Sequence, residues 1–281
     1  MTHKIYFGLA QWHHRDWYDH SNERNSLAVY AKSFSSVEGN SSFYGLPSEQ
    51  SIRTWNSQVD DSFRFCFKFP KEISHQLRLT HCSRQVTEFL NRISLIKSKL
   101  GLVWLQLDAF FDASGLEALA VFLQGLPSDF NYAVEVRHLD FFRKGDHERR
   151  YCELLQQYAV NRVIFDTRSL FANRQLTDAA TQDALEAKPR VPTRVVTTGG
   201  QPMVRFIVPQ QRELAQREIT QWVERAQLWL AQGLTPYFFF HTPDNVHAPQ
   251  FAEDFCTLLQ QRVEGLEALK LWHRQHQSTL L

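Results

Sequence analysis

Glu38, Lys68, Glu135, Arg137, Asp166, Arg205 and His241 each stand at or near the end of a short apolar run. Their types offer four kinds of chemistry. Glu38 and Glu135 could divide acid and base roles on a glycosidic bond, with a spacing near the inverting range if they stand three strands apart. Lysine and arginine could clamp a phosphate or a carboxylate. Glu38, Glu135, Asp166 and His241 could converge on a divalent cation. The plainest alternative is a structural salt-bridge network, because buried charge is costly unless it is paired.

The runs that carry these residues read as strands. Phe63–Pro70, Val103–Leu107, Tyr132–His138, Val163–Arg168 and Tyr237–His241 are the clearest, and Ile5–Leu9, Val37–Asn40 and Val204–Val208 fit more loosely. Side chains alternate along a strand. Phe63, Phe65, Phe67 and Phe69 should therefore face a helix layer, with Arg64, Cys66 and Lys68 facing inward. The same parity turns Glu38, Asn40, Gln106, Ala133, Glu135, Arg137, Asp166, Arg168, Arg205 and His241 inward. The result is one polar ring at the C-terminal strand ends, where barrel enzymes place their sites.

Helical patterns lie between the strands at Leu27–Phe34, Ser48–Val59, Val86–Leu100, Leu116–Leu123, Glu148–Tyr158, Leu214–Ala231 and Phe251–Val263. Of these, Val86–Leu100 has the clearest three–four apolar rhythm. Alternation of this kind implies a mainly parallel sheet. Eight strands favour a single (β/α)8 TIM barrel over residues 1–281, with an open doubly wound sheet as the alternative. Lys188–Gln201 breaks the rhythm and reads as a loop with a short extra strand before the seventh strand.

Composition narrows the partners. The 281 residues are 43% hydrophobic, enough for a large core, and the formal charge of +1 gives no global basic field for nucleic acid. A local basic face is still compatible with that balance. Cys66, Cys82, Cys152 and Cys256 lack metal-site spacing and read as free thiols of a reducing compartment. The start, MTHKIYFGLAQW, does not read as a signal peptide, and no run reaches the roughly 20 apolar residues of a membrane span. A cytoplasmic protein without membrane partners is the expectation.

SSVEGNSSFYGLP (35–47), FRFCFKFPKEISHQLRL (63–79), YAVEVRH (132–138) and PYFFFHTPDNVHAP (236–249), with Gly8-Leu9-Ala10-Gln11-Trp12 at the start, resemble the YecE-like family. The resemblance covers nearly the whole chain in order. It implies a TIM barrel and no established reaction. Its likeness to metal-dependent barrel nucleases and sugar isomerases is one of fold alone. The family's polar positions map onto Glu38 and Asn40, Lys68 with Pro70 and His75, Glu135 with Arg137 and His138, and Asp166. Two places depart from the family. Its arginine–leucine–histidine–glycine run on the seventh strand is Arg205-Phe206-Ile207-Val208 here, and His241 stands where asparagines often end the eighth.

The expected function is binding of a phosphate- or sugar-containing ligand at the C-terminal face, in a hydrolase or isomerase. Glu38, Glu135 and Asp166 are the catalytic candidates. Asn40, Lys68, His75, Gln106, Arg137, His138, Arg168, Arg205 and His241 would bind the ligand, with Trp12, Trp17, Phe43 and Tyr44 as stacking candidates. No metal ligands are assigned, and a divalent cation is a minor alternative. A nucleic-acid-binding or nuclease-like face, and a purely structural ring, are the others.

Overall fold

The computed structural model describes residues 4–17 and 26–272. All eight apolar runs form strands: β1 (Tyr6–Leu9), β2 (Ser36–Gly39), β3 (Arg64–Phe67), β4 (Leu102–Gln106), β5 (Asn131–Glu135), β6 (Asn161–Asp166), β7 (Met203–Ile207) and β8 (Tyr237–His241). The helices are α1 (Ser26–Tyr30), α2 (Ser41–Tyr44), α3 (Glu49–Ser57), α4 (Ser83–Ile93), α5 (Leu116–Gln124), α6 (Asp146–Gln157), α7 (Arg168–Ala172), α8 (Ala179–Ala187), α9 (Gln216–Ala231) and α10 (Ala248–Gln260). None of them is long and apolar enough to cross a membrane. The four cysteine thiols are free.

The strands form a curled six-stranded parallel sheet, ordered β1-β8-β7-β6-β5-β4, and a two-stranded parallel sheet, β2-β3. β3 meets β4 through two isolated bridges, Phe65 opposite Leu100 and Lys68 opposite Trp104. Between β1 and β2 side chains replace the ladder. Phe7 N–H donates to Ser35 Oγ (3.0 Å) and Leu9 N–H to Tyr30 Oη (2.8 Å), while the Tyr30 hydroxyl donates to Ser36 O (2.7 Å). The strands come this close because residue 8 is glycine: a Cβ there would lie 2.5 Å from Ser36 O. The continuous eight-stranded ladder of the expected barrel is thus interrupted at two joints.

Strand parity divides the core. The four phenylalanines of the 63–69 run join the large cluster shared with the helices. Tyr6, Cys66, Trp104, Val163, Met203 and Phe239 belong to a second, inner cluster. The Val86–Leu100 helix is shorter than its rhythm suggests: α4 stops at Ile93 and a 3₁₀ turn (Ser94–Lys99) follows, with Ile96 non-helical at φ −127°. After the break the Lys99 amine donates to the carbonyls of Asn56 (2.8 Å) and Val59 (2.7 Å), at the C-terminal end of α3 and just past it.

Residues 188–201 form no strand. The segment is held by side chains instead: Thr193 Oγ1 donates to Asp166 Oδ1, Arg194 Nε to Glu148 Oε1 and Thr198 Oγ1 to Val160 O, each at 2.7 Å. Part of the tail from Leu269 is also placed, with Trp272 packed on Trp17 at 5.8 Å; His273 and His276 lie outside the described residues.

Tyr30 is fully buried, so Tyr30→Phe strands two backbone groups without a partner. The substitution should cost about 1–3 kcal/mol of unfolding free energy in a urea titration. An unchanged midpoint would mean that the hydroxyl does not hold the β1–β2 joint.

Candidate functional site

Arg205, on the inner face of β7, lies between two buried glutamates. Its Nε and Nη2 donate to Glu38 Oε2 (2.9 Å) and Oε1 (2.8 Å), and its Nη1 donates to Glu135 Oε2 (2.6 Å). The guanidinium rests against Trp104 and Phe165, at 4.9 and 5.3 Å from the ring centroids. Glu38 also accepts from Asn40 Nδ2 (2.8 Å) and His241 Nε2 (3.0 Å). Glu135 Oε1 accepts from Arg137 Nε (2.8 Å), and Arg137 Nη2 continues to Gln106 Oε1 (2.9 Å), which also accepts from Lys68 Nζ (2.7 Å). Eight of the expected site residues are therefore one hydrogen-bonded network: Glu38, Asn40, Lys68, Gln106, Glu135, Arg137, Arg205 and His241.

The network sets the charge states. Burial raises both glutamates, but cationic neighbours outweigh it. Arg205 and His241 hold Glu38 well below the ordinary range, and Arg205, Arg137 and Lys68 bring Glu135 to about 2. Burial lowers the His241 imidazole against the pull of Glu38, so a neutral ring donates its Nε2–H to the carboxylate. Burial, then Arg205, lowers the Lys68 amine to about 7, against the opposing pull of Glu135 and Glu38. Each carboxylate is already bonded to Arg205 and to at least one further donor, an arrangement that favours its ionised form.

Asp166 and Arg168 do not join the ring. In β6, Val163 and Phe165 face inward, so Asp166 faces the helix layer. There its carboxylate accepts from Trp222 Nε1 (2.7 Å), Thr193 Oγ1 (2.7 Å) and Arg168 Nη2 (2.8 Å). Asp166 fastens α9 and the 188–201 segment to the end of β6. The inward reading failed because the strand ends at Asp166, one residue out of phase with the site, and Arg168 already begins α7. With Asp166 turned away and Arg205 between the two glutamates, the residues do not suit a divalent cation. Among the described residues, no three His, Cys, Asp or Glu side chains gather as metal ligands.

The remaining candidates divide. His75 lies on a π-helical turn (Glu72–Gln76), with Nδ1 2.8 Å from Ser74 Oγ and its ring edge-on to Phe43. Burial lowers its imidazole, Lys68, Lys71 and Arg137 adding to the shift and Asp108 opposing it. His138 caps the Leu139–Phe142 turn through Nδ1. Trp12 packs against Trp55 at 5.1 Å, Trp17 and Phe43 are buried, and only Tyr44 of the aromatic candidates is free on the surface, at 83% exposure.

Lys188 is the residue that sequence reasoning missed. It follows α8, is half-buried, and forms no hydrogen bond or ion pair through its amine among the described residues. Burial, then Arg205 and Arg137, lowers that amine to about 8 against the opposing pull of Glu38 and Glu135, so it lies within electrostatic reach of the ring. Nothing in the local sequence marks it. A cavity of about 890 Å³ lies elsewhere, between α4 and α5, and contains no ring residue. A smaller cleft of about 400 Å³, lined by Phe43, Tyr44, Pro70 and Lys71, opens beside the ring.

The sequence profile of the family described as "Protein of unknown function DUF72" matches residues 6–277. The chain belongs to the DUF72 family. The UPF0759 protein YecE of Escherichia coli (strain K12) is 46% identical over 269 residues, covering 94% of this chain and 96% of that protein. The YecE protein of Escherichia coli O157:H7 is 45% identical over the same span. Among solved structures, a DUF72 family protein from Thermotoga maritima MSB8 superposes with a TM-score of 0.68 at 20% identity, covering 92% of this chain and all of that one. One from Enterococcus faecalis V583 gives 0.68 at 20% identity over 95% of this chain and 99% of that one. These likenesses establish the DUF72 fold and carry no reaction.

Glu135→Gln tests the electrostatics of the ring. The folded pKa lies below the ordinary 4.5, so the stability that the carboxylate contributes is present above 4.5 and is lost as pH falls through about 2. The variant should be about 3–5 kcal/mol less stable than wild type at pH 7. That gap should narrow at pH 3 in urea titrations; a gap that does not change with pH would contradict the assignment.

Proposed function

We propose that the C-terminal ends of the strands bind a small anion, the phosphate of a sugar phosphate or a comparable metabolite being the class that suits them best. One observation carries this reading: Arg205 and Arg137 balance Glu38 and Glu135, and the amines of Lys68 and Lys188 are left over without carboxylate partners. Arg137 supports it. Its Nε and Nη2 are used within the ring, while Nη1 has no partner among the described residues and is half-buried at the rim. A guanidinium with a free Nη1 between two amines suits a tetrahedral or planar oxyanion.

On this reading Glu38 and Glu135 position Arg205, and any proton transfer in a hydrolase- or isomerase-type reaction falls to Lys68 and His75. The eight strands act as one closed barrel over a single domain, the Ser35 and Tyr30 hydroxyls standing in for ladder bonds at β1–β2. Residues from seven of the strands share the inner cluster, which supports closure.

Titration calorimetry with inorganic phosphate and with sulfate tests the proposal. Sulfate keeps its charge between pH 7 and 9, so its affinity reports the amines. Anion binding favours protonated lysines; it should be strongest below pH 7 and weaken as pH rises through about 7 and 8. Lys188→Gln should weaken sulfate by about tenfold, the loss of one charge-assisted hydrogen bond. Absence of binding at pH 6.5, or an affinity indifferent to pH and to Lys188, would remove the proposal. Preference for oligonucleotides over both anions would favour a nucleic-acid face instead.

A further inference from the structure

Lysine is an expensive residue for a purely structural place at the end of β3. The Lys68 amine has one hydrogen-bond partner, the neutral Gln106, and forms no ion pair among the described residues. Around it lie aromatic rings, two arginines and the two ring glutamates. The Phe43 ring centroid lies 3.6 Å away and that of Trp104 lies 4.9 Å away, and Arg205 and Arg137 repel its charge. Burial among rings beside fixed cations is how a lysine comes to hold an unprotonated nitrogen near neutral pH. Glu38 and Glu135 are the anions that oppose this, and both are already bonded to Arg205.

His75 stands within electrostatic reach of Lys68. Its Nδ1 is fixed by Ser74 Oγ, and Nε2 has no protein partner among the described residues. When Nδ1–H donates to Ser74, Nε2 is an acceptor. The Phe43 ring under the Lys68 amine also lines the cleft shared with Tyr44 and Lys71.

We propose that Lys68 forms an imine with the carbonyl carbon of a small aldehyde or ketone whose phosphate or carboxylate rests on Arg137 and Lys188. This deepens the anion-binding reading and rests on it. The Nζ lone pair forms a bond to the carbonyl carbon as the π pair moves to oxygen. His75 Nε2 takes the proton released from nitrogen and returns it to that oxygen. The hydroxyl then leaves as water, with a further proton delivered through His75, and the remaining nitrogen pair closes the C=N bond. Amine, carbonyl and that proton, drawn from solvent, give a protonated imine and water; release of the remaining N–H proton to solvent gives the neutral imine, with no oxidation and no co-reactant.

The test is reductive trapping on the full-length protein. Dihydroxyacetone phosphate or pyruvate is added at pH 7 with sodium cyanoborohydride, and the adduct is mapped by peptide mass spectrometry. Lys68 should be modified at least tenfold faster than the exposed lysines. Inorganic phosphate should slow that modification, and Lys188→Gln should slow it at low probe concentration only. Lys68→Arg, checked for folding by circular dichroism, should lose that adduct alone. Labelling spread evenly over surface lysines, or wild-type protein with Lys68 unmodified by both probes, overturns the proposal. If phosphate binds in the calorimeter while Lys68 stays unmodified, the imine falls and the anion site stands; if neither occurs, both fall.

Discussion

The contact on which the rest of this site depends is the buried fork of Arg205 between Glu38 and Glu135. It crosses the inner faces of the strands and ties β7 to β2 and β5. Because β2 belongs to the small sheet and β7 to the large one, the same guanidinium fastens the two sheets together. Lys68 and Gln106 make a second such link, from β3 to β4. Where backbone ladders stop, polar side chains take over the joining. A network used this way is sensitive to single losses, since removing one partner leaves an unpaired charge in the interior.

The same fork divides the labour among the charged residues. The carboxylates are filled and held ionised, so they serve as fixed anions that orient Arg205 and Arg137. Positive charge in excess of theirs collects above them, on Lys68 and Lys188. Aromatic rings beneath and beside the Lys68 amine exclude water, which strengthens any interaction made there. The 188–201 segment is pinned by Asp166, Glu148 and the Val160 carbonyl just before β6, and Lys188 stands at its start.

Much of this was legible in the sequence, and the failures have physical causes. Eight apolar runs became eight strands because strand burial writes itself into composition. Parity correctly turned the phenylalanines outward and Lys68, Glu135, Arg205 and His241 inward. It failed at Asp166, where an offset of one residue at a strand end reverses the face. The short helices α2, α7 and α8 carry too few apolar positions to show a period. Lys188 left no trace in its local sequence. The extra strand expected before β7 did not form, since threonine and arginine side chains, rather than a neighbouring backbone, satisfy that stretch. The missing β1–β2 ladder was invisible for the same reason: Ser35 and Tyr30 look like ordinary polar and aromatic residues until their hydroxyls are seen to meet β1.

The central claim is that Glu38 and Glu135 are permanent anions locked by Arg205, leaving the lysines as the reactive side of the site. A carbon-13 NMR titration of the glutamate side-chain carboxyls, assigned by Glu38→Gln and Glu135→Gln, measures this directly. Between pH 7 and 4 the two resonances should not move, while exposed glutamates begin to titrate. A midpoint above 4.5 for either residue would contradict the account, because that carboxyl would then be an acid in its own right.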